Sequence, residues 1–204
     1  NFPQALLKAM RSVEWGGGLR PAGCSQLPER ALWAEVRRPT HRRMWFILEL
    51  LRRGEEVESI AQASGIAPFF LRQVETIVTA EQNLEKRGIQ DPEALAGAKW
   101  LGLSDRDIAA LAGTSEEAVR EVRLSLGFEQ GFREVDGCAG ETPAGSRYLY
   151  GAYGVADDGK PEGDAPAVVV LGSGPIRIGQ GVEFDYCCVK AVEALKSLGI
   201  RAVM

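Results

Sequence analysis

The sequence predicts a mainly α-helical protein, in which an all-helical bundle precedes the first β-strand and α-helix of a Rossmann-like α/β domain. Apolar residues recur at helical spacing through residues 40–127. A polar linker rich in Gly, Pro and Asp follows at residues 154–166 and marks a domain boundary. Residues 167–204 then have the pattern of a buried strand, a glycine-rich turn, an amphipathic helix and the start of a second strand.

The composition restricts the class of protein. The chain has 204 residues and a mass of 22.1 kDa, which corresponds to one large domain or two small ones. Apolar residues make up 45% and charged residues 25%, which excludes an intrinsically disordered chain. The net charge of −4 argues against a nucleic-acid binder that relies on overall charge. No apolar run approaches the roughly 18 residues that cross a bilayer, and no signal peptide opens the chain, so we expect a cytoplasmic protein without a membrane partner.

Histidine and cysteine usage limits the chemistry that this chain can perform alone. His41 is the one histidine, which excludes a histidine-dependent triad or a multi-histidine metal site within the chain. The four cysteines contain no C-x-x-C pair, which argues against structural zinc. Without a secretory signal we expect these thiols to be reduced. We therefore predict no catalytic residue and no metal site in this chain.

The first 39 residues lie before the bundle. Residues 1–18 carry a helical pattern that stops at three consecutive glycines, which predicts the end of an element whose beginning is missing. Residues 19–39 are interpreted as a linker, because glycine and proline interrupt their first half.

The bundle itself is expected over residues 40–153, with short helices separated by glycine and proline. The first helix has apolar residues at i, i+3, i+4 and i+7, namely Met44, Ile47, Leu48 and Leu51. Gly54 and Gly65 are expected to end the first two helices, and Pro68 suits the first position of a third.

Residues that cap helix N-termini predict where the later helices begin. Asp91 is a natural N-cap, and Ser104 and Thr114 are expected to be two more. Thr114 and Glu117 have the spacing of a capping box.

Large aromatic side chains predict that this bundle associates with another surface. A domain of short helices has a high surface-to-volume ratio and leaves apolar groups uncovered. The groups that need a partner surface are Phe46, Phe69, Phe70 and Trp100.

A weak internal repeat predicts two similar helix-turn-helix corners. Residues 59–74 align with residues 107–122, with Ile-Ala and a later glycine in register. The second copy suggests a regulatory or interaction protein that binds DNA. Its second helix, however, carries three glutamates against two arginines, which favours plain helical packing over contact with phosphates.

A basic cluster lies just before the first bundle helix. Its members are Arg37, Arg38, His41, Arg42 and Arg43. The cluster could bind phosphate or RNA, but we favour a solvated helix start or ion-pair partners of acidic neighbours.

The glycine-rich turn is the strongest local signal. Its glycines are Gly172, Gly174, Gly179 and Gly181. Glycines between a strand and a helix allow close approach of a ligand to the backbone. The turn is not a dinucleotide-binding fingerprint, because Arg177 stands where the third glycine would be, and it has no Gly-Lys-Ser/Thr of a phosphate-binding loop.

The segment G-S-G-P-I-R-I-G-Q-G-V-E-F-D-Y at residues 172–186 resembles the loop that opens the second synthetase half of the carbamoyl phosphate synthetase large subunit. Residues 45–78 resemble the start of the oligomerisation domain in that family, and residues 132–153 resemble the signature that closes it. Residues 2–14 resemble the last helix of the first ATP-grasp half. The resemblance thus covers nearly the whole chain in the expected order.

The resemblance implies a ligase that makes carbamoyl phosphate from bicarbonate, ATP and ammonia drawn from glutamine, for arginine and pyrimidine biosynthesis. It implies ATP and Mg²⁺ or Mn²⁺ in the full-length enzyme, none bound by this fragment, and a glutaminase small subunit as partner. Residues 40–153 would form a dimer or tetramer, and residues 167–204 would begin the second pre-ATP-grasp domain. The segment itself would link the two halves without catalysing a step.

Two residues of the turn acquire roles from the resemblance. Glu183 would face the passage through which carbamate reaches the second half, although a carboxylate at a helix N-terminus is also stabilised by the helix dipole. Arg177 would be a fixed positive charge beside an anionic intermediate, or one partner of a structural ion pair.

Overall fold

The computed structural model describes residues 1–13, 18–21, 23–143, 148–159, 166–172 and 183–204. It divides the chain into two compact units, Asn1–Gly159 and Lys160–Met204, which are described separately below. Most of the described residues are helical, so the predicted fold class is confirmed.

The first unit contains eight helices and a β-hairpin among its described residues. The helices are α1 (Phe2–Ser12), α2 (Glu29–Arg37), α3 (Arg43–Arg52), α4 (Val57–Ser64), α5 (Pro68–Arg87), α6 (Pro92–Leu101), α7 (Asp105–Ala112) and α8 (Glu116–Ser125). The hairpin pairs β1 (Gln130–Val135) with β2 (Tyr148–Tyr153) in antiparallel register, with Gln130 opposite Tyr153.

The second unit contains β3 (Ala167–Val169), α9 (Glu183–Ser197) and β4 (Arg201–Val203). The two strands are parallel, with Ala167 opposite Arg201. A parallel pair joined through a helix is the βαβ arrangement that the sequence predicts.

Helix α5 is the centre of the first unit and contacts α1, α3, α4, α6 and α7. Its buried side chains follow the helical period, so one continuous stripe faces the neighbouring helices. They include Leu71, Val74, Ile77, Val78 and Leu84. Helix α3 is covered along nearly its whole length, and all residues from Trp45 to Leu51 are buried.

The predicted repeat corresponds to two helix-turn-helix corners, α4–α5 and α7–α8, which meet where α5 contacts α7. In each corner the first helix ends at a glycine with left-handed φ, 71° at Gly65 and 65° at Gly113. Glycine adopts this conformation without steric cost, so the same local signal ends both helices.

The capping predictions are confirmed at Asp91 and Ser104 and wrong at Thr114. Ser104 and Asp107 form a complete capping box at the start of α7. Helix α8 is instead capped by Ser115, whose hydroxyl accepts from the backbone N–H of Ala118 at 3.1 Å. The backbone N–H of Thr114 is used to close α7, because it donates to the carbonyl of Ala109 at 3.0 Å.

The segment interpreted as a linker, residues 19–39, contains helix α2. Leu32 and Val36 lie one turn apart on α2 and are fully buried, and the helix packs on α3 and α4. Helix α1 also joins the bundle, burying Leu7 and Met10 in contact with α5 and α6. Helix α2 was not predicted because its nine residues give only a short helical pattern and prolines and glycines precede it.

The expectation for the large aromatic side chains is wrong at Phe46, which is buried in α3. Phe69, Phe70 and Trp100 are exposed to 64%, 43% and 53%. Helical spacing places Phe46 on α3 but cannot show that α3 is covered on all sides.

The basic cluster engages neighbouring groups of the same unit. Arg38 pairs with Glu35 at 3.1 Å, and Arg43 donates to the carbonyl of Ser64 at 3.1 Å. The Arg37 guanidinium lies 6.0 Å from the centre of the Trp33 ring. These contacts favour the structural interpretation of the cluster.

A buried ion pair joins α3 to α5. Glu81 is completely buried, and Arg52 donates to its two oxygens from Nε and Nη2 at 2.6 and 2.8 Å. Arg20 adds a third contact at 3.2 Å, and Arg52 also donates to the carbonyl of Leu19 at 3.2 Å. Because each charge is matched, the carboxylate can lie inside the bundle.

We predict that Glu81→Leu lowers the free energy of unfolding by about 3–5 kcal/mol, because Arg52 loses both of its hydrogen bonds to that carboxylate and keeps only the longer 3.6 Å ion pair with Glu49. The double variant Arg52→Met/Glu81→Leu should recover most of this loss. Urea unfolding followed by circular dichroism measures both. The exposed pair Arg72–Glu58 provides the control: Glu58→Gln should cost less than about 1 kcal/mol. An equal loss in E81L and E58Q contradicts the prediction.

Candidate functional site

The glycine-rich turn lies between β3 and α9 in the second unit. Gly172 is described directly after β3, and Glu183 is the first residue of α9. Arg177, Gly174, Gly179 and Gly181 fall outside the described residues. The roles assigned to Arg177 and Glu183 therefore stay predictions.

The secondary structure around the turn is the one that a ligand-binding loop of an α/β sheet requires. Such loops lie outside the carboxyl end of a parallel strand and at the N-terminus of the following helix, where backbone N–H groups attract anions. β3 and α9 stand in this order. At the other end of α9, Gly199 has a φ of 73°, and the N–H of Ile200 donates to the carbonyl of Leu195 at 2.9 Å. Gly199 thus ends the helix.

The first unit has an exposed apolar surface where α6 meets the hairpin. We call it the Trp100 surface; its exposed apolar members are Trp100 and Val155. A cavity of about 510 Å³ adjoins it, lined in part by Trp100, Phe128 and Tyr153. Gly154 closes the cavity with a φ of 72°, and a Cβ on it would come within 3.3 Å of the Trp100 indole. The positive φ therefore favours glycine at this position, and a Cβ would also require a small shift of the Trp100 ring.

A buried charge cluster fixes the hairpin beside α6. The Lys99 ammonium donates to Asp105 Oδ1 at 2.6 Å and to the carbonyl of Leu103 at 2.9 Å. Arg123 donates to the other oxygen, Oδ2, from Nε at 3.1 Å. The ring of Tyr153, the last residue of β2, lies 4.5 Å from the Lys99 nitrogen and 5.6 Å from the Arg123 guanidinium carbon. Two cations thus face one aromatic ring, which stabilises the end of the hairpin.

Burial and the mutual charges shift the pKa values in this cluster. Desolvation lowers the pKa of Lys99, and its contact with Asp105 offsets this only in part. Desolvation by itself raises the pKa of Asp105, but the hydrogen bonds and charges of Lys99 and Arg123 outweigh it, so the pKa falls below its ordinary value. Burial raises the pKa of the Tyr153 phenol. The carboxylate is thereby held ionised between two cations.

The same cluster buries one of the two arginines of α8 that could contact DNA. Arg123 is buried, and besides Asp105 it donates to the carbonyl of Phe128 at 3.0 Å. The exposed charges of α8 that remain are Glu116, Glu117, Glu121 and Arg120. This acidic surface disfavours contact with a polyanion.

The cluster of Lys99, Asp105, Arg123 and Tyr153 was not predicted from the sequence. One signal was available: Lys99 follows Leu95 by four residues and Ala98 by one, so it lies on the apolar stripe of α6. A lysine in that position requires a buried acidic partner. The identity of that partner depends on how α6, α7 and α8 pack.

Two further findings concern only the described residues. No helix among them is both long and apolar enough to cross a membrane. No group of three or more His, Cys, Asp or Glu side chains in these ranges is arranged to hold a metal ion.

Comparison with known proteins gives two family matches in succession along the chain. Residues 1–127 match the family described as "Carbamoyl-phosphate synthetase large chain, oligomerisation domain". Residues 164–204 match "Carbamoyl phosphate synthase preATP-grasp domain". The first match begins at residue 1 and so includes α1, in agreement with the packing of α1 on the bundle.

Curated relatives align over the whole chain. The carbamoyl phosphate synthase large chain of Caldanaerobacter subterraneus subsp. tengcongensis is 38% identical over 205 residues, and that of Thermomicrobium roseum is 41% identical over 204 residues. The large chain of Thermus thermophilus is 42% identical over 203 residues. In each case the alignment covers 100% of this chain and 19% of the relative, so the chain spans about a fifth of the length of these relatives.

We predict that Asp105→Asn lowers the free energy of unfolding at neutral pH by about 3 kcal/mol, because it leaves Lys99 and Arg123 without their carboxylate. The lowered pKa of Asp105 means that its stabilising effect is complete above the ordinary pKa of aspartate and disappears as the pH falls through the lower, folded-state pKa. The difference between wild type and D105N should therefore shrink between about pH 5 and pH 3.

Urea unfolding across this pH range measures the difference. Glu121→Gln, an exposed carboxylate on α8, is the matched control and should give a curve parallel to that of the wild type. A wild type–D105N difference that stays constant over the range contradicts the ionised state of Asp105.

Proposed function

The chain belongs to the family of carbamoyl phosphate synthetase large chains, and on this premise we propose that it is the segment that joins the two synthetase halves of such a large chain and mediates its self-association. The order of the two matches, an oligomerisation domain followed by a pre-ATP-grasp domain, carries the proposal. In it, the oligomerisation domain extends from α1 through the hairpin, so that residues 1–18 and 19–39 belong to it together with residues 40–153. The first ATP-grasp module would precede α1, residues 154–166 would form a connection, and residues 167–204 begin the second half.

We further propose the activity of the full-length protein from its relatives, which are named carbamoyl phosphate synthase large chains. The protein would be a glutamine-dependent ligase that uses ATP, bicarbonate and ammonia from a glutaminase small subunit. It would act in the cytoplasm and supply arginine and pyrimidine biosynthesis.

We propose that ATP and Mg²⁺ or Mn²⁺ bind to the ATP-grasp modules of the full-length protein and not to this chain. The turn after β3 has no lysine of a phosphate-binding loop, which supports a non-catalytic role for the segment itself.

The exposed apolar side chains support self-association through residues 40–153. The Trp100 surface combines the exposed side chains of Trp100 and Val155 with a cavity of about 510 Å³, which supports its use as an interface. We favour this role over that of a DNA-binding regulator, because α8 offers an acidic surface.

We predict that the chain ending at Gly159, which keeps the whole first unit, forms a discrete dimer or tetramer in sedimentation equilibrium. Ending the chain there also removes β3 and β4, whose exposed edges could pair non-specifically. A monomer across the micromolar range contradicts the prediction.

The matched variants locate the interface. Trp100→Ser should weaken association by about 2 kcal/mol or more, because aromatic residues that become buried dominate interface energies. Leu124→Ser removes an exposed apolar side chain of α8 and should leave association unchanged.

We also predict that, in the full-length enzyme, Arg177→Ala or Glu183→Gln impairs overall synthesis more than the bicarbonate-dependent ATPase step of the first half. Both residues belong to the turn that opens the second half, beside the proposed carbamate passage. Partial-reaction assays measure the two activities, with the 204-residue chain as the inactive blank. Lys196→Ala and Glu193→Gln, on the last turns of α9, are the charge-matched controls. Equal loss of both activities at unchanged stability contradicts the assignment.

A further inference from the structure

Three phenylalanine rings, the half-buried Phe2 and the exposed Phe69 and Phe70, form a cluster where α1 begins. The rings of Phe2 and Phe70 lie 5.3 Å apart with a tilt of 42°, and those of Phe69 and Phe70 lie 5.3 Å apart edge to face. Phe69 and Phe70 remain exposed, although the next residue, Leu71, is fully buried. Edge-to-face pairing holds the rings in a fixed arrangement without removing them from water.

The bundle does bury other large aromatic side chains, because Trp45 and Phe46 lie in its core. An exposed group of phenylalanines in a fixed arrangement indicates a partner surface. The partner surface belongs either to a second copy of the chain or to a neighbour in the same polypeptide.

The exposed area of this cluster is too small for a stable interface with a second copy of the chain. Phe69 and Phe70 together expose roughly 200 Å², whereas a stable interface buries about 800 Å² on each partner. Extending the contact along α5 would desolvate the exposed pair of Arg72 and Glu58, whose atoms are 2.8 Å apart.

A neighbour within the same polypeptide needs far less area. Covalent connection supplies an effective concentration in the millimolar range, so a few apolar contacts suffice to hold it in place. Such a neighbour must also be connected to the polypeptide at a point close to the cluster.

The position of α1 identifies that neighbour. Phe2 is in the first turn of α1, and the helix is anchored there because the side chains of Asn1 and Gln4 both donate to the carbonyl of Trp100, at 3.0 and 2.7 Å. If the segment joins the two synthetase halves as proposed above, the first half is connected at Asn1, one residue from the cluster.

We infer that the cluster of Phe2, Phe69 and Phe70 is the docking surface for the first synthetase half, the polypeptide that precedes Asn1 in the full-length large chain. This inference rests on the proposed function. It divides the exposed aromatic residues of the unit between two partners: the phenylalanine cluster meets the same chain, and the Trp100 surface meets a second copy.

Hydroxyl-radical footprinting read by mass spectrometry tests the inference directly, with a free phenylalanine peptide as the dose reference. Oxidation of Phe69 and Phe70 should be about fivefold or more slower in the full-length large chain than in the 204-residue chain, because the core of an interface is dry. The ratio should not depend on protein concentration. Equal oxidation in both chains, or protection of the 204-residue chain that grows with its concentration, overturns the inference.

Variants of the full-length chain provide the second measurement. Phe69→Ser/Phe70→Ser should lower the unfolding temperature of the first half in calorimetry, whereas Phe69→Leu/Phe70→Leu, which keeps the apolar contact, should restore it. Leu124→Ser is the control and should have no effect. The circular dichroism of the 204-residue chain with the Ser substitutions shows whether the bundle stays folded. A wild-type unfolding temperature for F69S/F70S in the full-length chain overturns the inference.

Failure of the inference can be distinguished from failure of the proposed function. Synthesis of carbamoyl phosphate by the unaltered full-length chain, with ammonia supplied, is measured first. Absence of synthesis contradicts the proposed function, whereas synthesis together with freely oxidised phenylalanine rings contradicts the docking surface alone.

Discussion

Helix α5 can occupy the centre of the first unit only because the carboxylate of Glu81 is neutralised there. The side chain has no exposure to solvent, and an unpaired charge in such a place would cost several kcal/mol. Arg52 of α3 meets both oxygens, and Arg20 approaches from the segment that follows α1. The positions of α3 and of that segment beside α5 are therefore tied to one buried acid, and the apolar core closes around it.

The same principle positions the hairpin. Asp105 at the start of α7 holds Lys99 of α6 and Arg123 of α8, so a single carboxylate connects three helices. Tyr153 lies on the resulting pair of cations and brings the end of β2 to α6. Charges are thus matched inside the first unit, and apolar rings remain outside it. This distribution suits a segment whose role is to hold larger neighbours together.

The exposed aromatic residues connect this architecture to the proposed function. A unit that worked alone would bury Phe69, Phe70 and Trp100 as it buries Trp45 and Phe46. In the proposed arrangement, the phenylalanine cluster meets the remaining parts of the polypeptide and the Trp100 surface meets a second copy.

The sequence by itself determined the fold class, the helix end at Gly65, the helix starts at Asp91 and Ser104, and the family. These signals are carried by residues a few positions apart, so no knowledge of packing is needed to recognise them. The tertiary structure decided what depends on contacts between distant segments. It showed that α2 is a helix because Leu32 and Val36 meet α3 and α4, and that Phe46 is covered on all sides. It also showed which acid accepts Lys99, because Asp105 comes within 2.6 Å only once α6 and α7 pack together.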